Sequence, residues 1–244
     1  MSRRRHVAVL TSTNDEAGRL ADEGAAHGTV VTADEQTAGR GRGGRSWFSP
    51  ANGNIYLSVI WRPIGSLERV PQLTLQAAVA VHRAVADLGG EPQLKWPNDV
   101  FVDGRKCAGV LSELRIGAHG PAVIVGIGLN VAAMPAETPD EVASVAGVVA
   151  SEREAAIAHL MRRLDEAWSD FVRRGSFDRQ AWLAAALTIG RDVTVTEPGA
   201  AESFEAVALD IDSTGCLVVL RNGVRHTVVA GDVVHHFAQS GETN

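Results

Sequence analysis

Cysteine is scarce. Only Cys107 and Cys216 occur in 244 residues, far apart and outside any Cys-x-x-Cys or Cys/His spacing. That argues against a disulfide framework or a cysteine-built zinc site and leaves both as reduced, mostly buried thiols. Long apolar runs are missing as well: none approaches the ~20 residues of a membrane-spanning helix. The apolar stretch after Arg3-Arg4-Arg5 stops before Thr11, too soon for a signal-peptide core, so a cytoplasmic protein is expected. Basic residues do not predominate. With Lys+Arg 23 against Asp+Glu 29, the net charge of −6 argues against a surface built chiefly for nucleic acid. No internal repeat or low-complexity segment is evident. The remainder, 45% hydrophobic with a mean hydropathy of +0.01, fits a globular chain with one sizeable core and a small second domain.

What stands out against this acidic background is Gly39-Arg40-Gly41-Arg42-Gly43-Gly44-Arg45, followed by Trp47-Phe48. Glycine lets the backbone approach a ligand closely, and arginine supplies forked, permanently charged donors. Such a loop buries little apolar surface, so it is expected to be poorly ordered until a polyanion binds. The alternative is a solvated basic turn. Gly39, Gly41 and Gly44 satisfy G-x-G-x-x-G, but a dinucleotide fingerprint opens directly into an apolar helix, and here Trp47-Phe48-Ser49-Pro50 follows. A Walker A loop would need Gly-Lys-Ser/Thr, which is absent.

In chain order, residues 7–10 read as a short buried strand. Thr13-Asn14-Asp15-Glu16 fits a capping box that opens a helix with Ala17, Leu20 and Ala21 on one face. Ser12 and Thr13 are either caps alone or, with Asn14, partners for a small neutral polar ligand. Residues 29–33 and 54–61 read as strands, the second buried on both faces. A helix over 72–88 carries Leu75, Val79, His82 and Ala86 at helical spacing and stops at Gly89-Gly90. Strands at 93–96, 100–102, 106–116 and 122–131 make a meander rather than βαβ crossovers. Lys95, Asn98, Asp99 and Lys106 fall at strand ends and turns, where binding residues sit on a rigid sheet; Asn98-Asp99 equally fits turn chemistry. Lys106 enters an apolar strand and must find an anion or reach solvent. Gly126 and Gly128 either let a planar group lie against the backbone or mark a bulge.

Helices over 152–174 and 178–187 look like packing layers. Beyond them the pattern changes to short strands at 192–196, 204–211, 216–220 and 224–229, a β-barrel of SH3-like size. The reading is therefore α+β. A mixed, largely antiparallel sheet flanked by helices spans residues 1–187, and a small C-terminal SH3-like barrel spans 188–244.

Taken together the motifs resemble biotin protein ligases. The match consists of Ser12-Thr13-Asn14, Gln36, the loop from Gly39 to Arg45 with Trp47, Lys95-Trp96-Pro97-Asn98-Asp99, Lys106-Cys107-Ala108-Gly109 with Glu113, and Gly126-Ile127-Gly128-Leu129-Asn130, in family order over about half the chain. The resemblance implies a class II synthetase-like catalytic domain that activates biotin with ATP to biotinyl-5'-AMP, releasing pyrophosphate. Biotin then passes to a lysine of a biotin carboxyl carrier domain of a biotin-dependent carboxylase. It also implies roles. Ser12, Thr13, Asn14 and Gln36 would satisfy the ureido group, a neutral polar head that must be hydrogen-bonded when buried. Gly39, Arg40, Gly41, Arg42, Trp47, Lys106, Gly109 and Gly126 would also line the biotin site. Arg42, Arg45, Trp47, Lys95, Asn98, Lys106 and Asn130 would lie near the nucleotide, and Asp99 near Mg2+. Arg42, Arg45 and Lys106 would act catalytically by relieving repulsion between anions. Only eleven residues precede Ser12, so the monofunctional type without an N-terminal DNA-binding domain is expected, with no DNA or membrane partner, as a monomer or weak homodimer. Two rivals are a lipoate ligase or other acyl-adenylate transferase, and a nucleic-acid binder using the arginines with Trp47 and Phe48.

Overall fold

The computed structural model describes residues 4–51, 53–63, 65–131 and 152–235. Strands β1 (Arg4–Leu10), β2 (Val30–Gln36), β3 (Ile55–Trp61), β4 (Gln93–Lys95), β5 (Asp99–Val102), β6 (Arg105–Gly117) and β7 (Gly120–Leu129) form one sheet in the order β1-β2-β3-β7-β6-β5-β4. Only β1 and β2 pair in parallel; the other neighbours are antiparallel. The expected mixed, largely antiparallel sheet is therefore observed. β3 is buried at every position, as a central strand covered on both faces must be.

Helix α1 (Thr13–Asp22) covers one face, where Ala17 and Ala21 pack with Val31, Ile60, Ala122 and Ile124. The opposite face carries α2 (Val70–Asp87), α3 (Arg153–Arg174) and the short α4 (Arg179–Ala184). α2 is apolar nearly all round because it lies between the sheet and α3. α3 ends at Gly175 in the left-handed conformation at φ 71°, where glycine carries no steric penalty. Among the described residues no helix is long and apolar enough to cross a membrane.

A second sheet follows: β8 (Asp192–Thr196), β9 (Phe204–Ile211), β10 (Leu217–Arg221), β11 (Val224–Val228) and β12 (Asp232–His235), in the order β11-β10-β9-β8-β12. All its pairs are antiparallel. It is an antiparallel sheet with β11 and β12 at its edges, so closure into a barrel is not established. Its inward residues Val193, Val195, Leu217 and Val219 belong to the same apolar core as α2 and α3. Trp96 seals the seam, donating its backbone N–H to Thr188 Oγ1 at 3.1 Å and its indole N–H to Gly215 O at 3.0 Å.

Sequence and structure part in several places. β1 starts at Arg4 and is a partly exposed edge strand, with Val9 54% exposed, rather than a short buried strand over 7–10. α1 is capped by Ser12, whose hydroxyl accepts from Asn14 N, one residue earlier than the expected capping box. β2 continues to Gln36 rather than ending at residue 33, because Glu35 and Gln36 pair in parallel with Val9 and Leu10 of β1. β12 was not foreseen; four residues after a glycine give too short a pattern to read.

Gln76 is wholly buried in α2, where it donates to Ala167 O at 2.9 Å and accepts from Asp178 N at 2.8 Å, tying together α2, α3 and the start of α4. Truncation to alanine leaves a buried N–H and C=O without partners, so Gln76→Ala is expected to lower unfolding stability by about 2–4 kcal/mol in a denaturant titration. A loss below about 1 kcal/mol would contradict this packing.

Candidate active site

Register places two rows of residues across the sheet on the α1 face. Tyr56 of β3 stands opposite Gly128 of β7, Gly128 opposite Gly109 of β6, and Gly109 opposite Asp99 of β5. One step along, Ser58 stands opposite Gly126 and Gly126 opposite Leu111. Three glycines thus make a floor without side chains. The pairing of β3 with β7 runs without a shift through Gly126 and Gly128, so the bulge alternative is excluded. A Cβ on Gly126 would collide with the Asn14 amide, and one on Gly128 with the Trp47 indole. Both glycines are there for close approach.

The loop from Gly39 to Trp47 folds over this floor. It has definite structure: Arg40 and Ser46 form a β-bridge, Arg42–Gly44 makes a 3-10 turn with Gly43 at φ 67°, and Gly39 O accepts from Trp47 N at 2.9 Å. Counter-charges from the chain itself meet its arginines. Arg40 bonds Asp15 at 2.5 Å and Glu113 at 3.0 Å, while Arg42 and Arg45 share the carboxylate of Asp232, Arg45 at 2.6 Å. Arg42 also donates to Gly231 O at 2.6 Å. The two carboxylates beside Arg40 hold its pKa further above the ordinary arginine value.

A polar chain runs under the loop. Gln36 Oε1 accepts from Thr13 N at 2.8 Å and from Thr13 Oγ1 at 3.0 Å. Gln36 Nε2 donates to Ser49 Oγ at 2.8 Å, and Ser49 in turn donates to Trp47 O at 3.0 Å. Ser58 donates to Asn14 Oδ1 at 2.6 Å. Ser12, Thr13 and Asn14 are buried at the end of β1, so their polar groups face a protected recess rather than bulk water.

At the other end of the cleft Lys106 Nζ lies 2.7 Å from Asp99 Oδ1, in contact as an ion pair but misaligned for a hydrogen bond, and 5.3 Å from the Trp47 ring centre. Lys106 has thus found its anion. Lys95 sits over the Phe101 ring, 5.5 Å from its centre, and burial lowers its pKa. Cys107, behind Lys106, is pushed up to about 12 by burial and is chemically inert there. Asn98 donates to Val110 O at 2.8 Å and holds the turn between β4 and β5. The turn and binding readings of Asn98 are compatible, since it also lines the cleft.

The cleft runs from the neutral recess at Ser12 to the cations at Lys95 and Lys106, with β12 as its far wall. Ser12, Thr13, Asn14, Gln36, Arg40, Gly41, Arg42, Arg45, Trp47, Lys95, Asn98, Asp99, Lys106, Gly109 and Gly126 all line it. Gly39 and Asn130 lie just behind. Gly39 packs on Trp47 O and Ser49, and Asn130 is buried with its N–H on Cys107 O. No sequence motif pointed to Asp232, Val233 and Val234 from β12, which line the opposite wall. Asp232 is 190 residues from Arg42, beyond any local signal. Ser58 was also missed, hidden in an apolar strand.

Residues 7–130 match the model of the biotin/lipoate A/B protein ligase family, and residues 188–236 match that of the biotin protein ligase C terminal domain. The chain belongs to the biotin/lipoate A/B protein ligase family. It is 38% identical to a biotin–acetyl-CoA-carboxylase ligase of Mycobacterium tuberculosis over 237 residues, covering 94% of this chain and 87% of the relative. To the bifunctional ligase/repressor BirA of Bacillus subtilis it is 34% identical, covering 92% and 71%. Among solved structures, the biotin protein ligase from Aquifex aeolicus in complex with biotin and ATP superposes with a TM-score of 0.77 at 26% identity, covering 97% of this chain and 99% of that one.

Gly128→Ala tests the seat of Trp47. The added methyl group would displace the indole and free the loop, so trypsin should cut after Arg42 and Arg45 about tenfold faster than in the parent protein, as local opening becomes easier. An unchanged cleavage rate would mean that the indole does not hold the loop.

Proposed function

We propose that this protein is an ATP-dependent biotin protein ligase, acting on the carrier domain of a biotin-dependent carboxylase in the cytoplasm, where ATP and that acceptor occur together. The observation that carries the reading is the junction of two unlike environments in one cleft. A recess of neutral hydrogen-bonding groups (Ser12, Thr13, Asn14, Gln36) adjoins a set of cations (Arg42, Arg45, Lys95, Lys106) under a tryptophan lid. Biotin needs the first environment for its ureido head, and a triphosphate needs the second.

In the first step the biotin carboxylate attacks the α-phosphorus of ATP, forming the acyl–phosphate bond while the bond to the β-phosphate oxygen breaks and pyrophosphate leaves. Two anions must meet. Arg42, Arg45 and Lys106 stand where they would offset that repulsion, with ATP phosphates replacing Asp232 and Asp99 as their partners. Arg42 Nε and Trp47 Nε1 are buried without hydrogen-bond partners among the described residues, two donors suited to an incoming acceptor. Trp47 and the loop would shield the mixed anhydride from water. In the second step the carrier lysine attacks the acyl carbon and AMP leaves.

For magnesium, among the described residues no cluster of three or more His, Cys, Asp or Glu is poised to hold a metal ion. A single carboxylate beside the phosphates nonetheless suits an ion that takes most of its ligands from phosphates and water, and Asp99 would hold it. When bound, the ion would neutralise phosphate charge.

With biotin, ATP, magnesium and an isolated carboxylase carrier domain, the carrier should gain the mass of one biotinyl group on one lysine, and lipoate should not substitute. An unmodified carrier would count against the reading. Lys106→Ala should slow the modification about 10²- to 10³-fold at saturating substrates, and a near-parental rate would remove Lys106 from the chemistry.

A further inference from the structure

Glu113 belongs neither to the neutral recess nor to the cations, yet it touches both. On β6, two residues beyond Leu111 of the second floor row, its Oε2 accepts from Asn14 Nδ2 at 2.6 Å and from Arg40 Nη2 at 3.0 Å; Oε1 takes Arg40 Nη2 at 3.1 Å. A carboxylate only accepts hydrogen bonds. Asn14 must therefore turn its NH2 group towards Glu113 and its carbonyl oxygen towards Ser58, which donates to it at 2.6 Å. The amide plane is further confined by Gly126, since a Cβ there would collide with it. The same carboxylate anchors the first arginine of the loop, which Asp15 holds from the other side at 2.5 Å.

We propose that Glu113 is a positioning residue for biotin: it fixes which way round the Asn14 amide faces the recess and ties that orientation to the seating of Arg40 at the entrance of the loop. The inference rests on the biotin-ligase reading. Reversing the Asn14 amide would exchange the donor and acceptor offered to a ureido group, and a site built for one pattern rejects the other because buried polar groups are left unpaired. Glutamine at 113 can donate as well as accept, so it removes the constraint while keeping the size of the side chain. It also withdraws one charge from Arg40, where Asp15 remains.

The test compares the parent protein with Glu113→Gln, Asn14→Ala and the double variant, using calorimetric biotin binding without nucleotide and steady-state biotinylation of a carrier domain. Glu113→Gln should weaken biotin binding and raise the biotin KM about tenfold, as loss of a charge-assisted hydrogen bond does, with kcat at saturating biotin changed less than about threefold. If Glu113 acts through Asn14, the double variant binds biotin no more weakly than Asn14→Ala alone. A Glu113→Gln protein with parental biotin affinity, an effect confined to kcat, or losses that simply add in the double variant would overturn the proposal while leaving the ligase reading intact. A parent protein that binds no biotin would overturn both.

Discussion

Like charge in a confined cleft is the constraint from which the arrangement follows. Arg40, Arg42, Arg45 and Lys106 gather within one pocket, and their mutual repulsion would open the loop unless opposite charge came to meet them. The chain meets them with Asp15 from α1, Glu113 from β6, Asp99 from β5 and Asp232 from β12. Three separate parts of the sequence thus converge on the loop, and Asp99 meets Lys106 beside it. The arginine side chains remain partly exposed, so solvent screens each pair; the assembly holds because several pairs act together. A triphosphate carries more negative charge than Asp232 and Asp99 together and could take their place beside Arg42, Arg45 and Lys106.

The glycine floor answers a second constraint. A bicyclic head and an indole lid need flat support, which side chains in adjacent register would deny. Gly109, Gly126 and Gly128 lie in neighbouring positions across β6 and β7 because the antiparallel register puts them there. Tyr56 and Ser58 continue the rows on β3. The apolar strand residues packed beneath the helices keep this register fixed.

The strand and helix patterns of the catalytic sheet were legible because β3, α2, β6 and β7 carry strong periodicity or long apolar runs. The binding motifs were legible because glycine, arginine and lysine stand out against an acidic, apolar background. What the sequence withheld is contact over long separation. Nothing near Asp232 announces that it meets Arg42 and Arg45, and nothing in β3 marks Ser58 as the partner of Asn14. The loop's counter-charges were hidden for the same reason: read alone it is a basic glycine-rich turn, and their positions lie elsewhere in the chain. The expectation of a closed barrel outran a pattern that defines strands but not their closure.

The central claim is that this cleft brings a neutral biotin head and a triphosphate together so that one activates the other. Biotin-dependent exchange of labelled pyrophosphate into ATP, measured with the purified protein and magnesium and without any carrier, tests it most directly because it isolates the first step. The account predicts exchange that saturates with biotin and is absent with lipoate. Folded protein that shows no exchange at saturating biotin would contradict it.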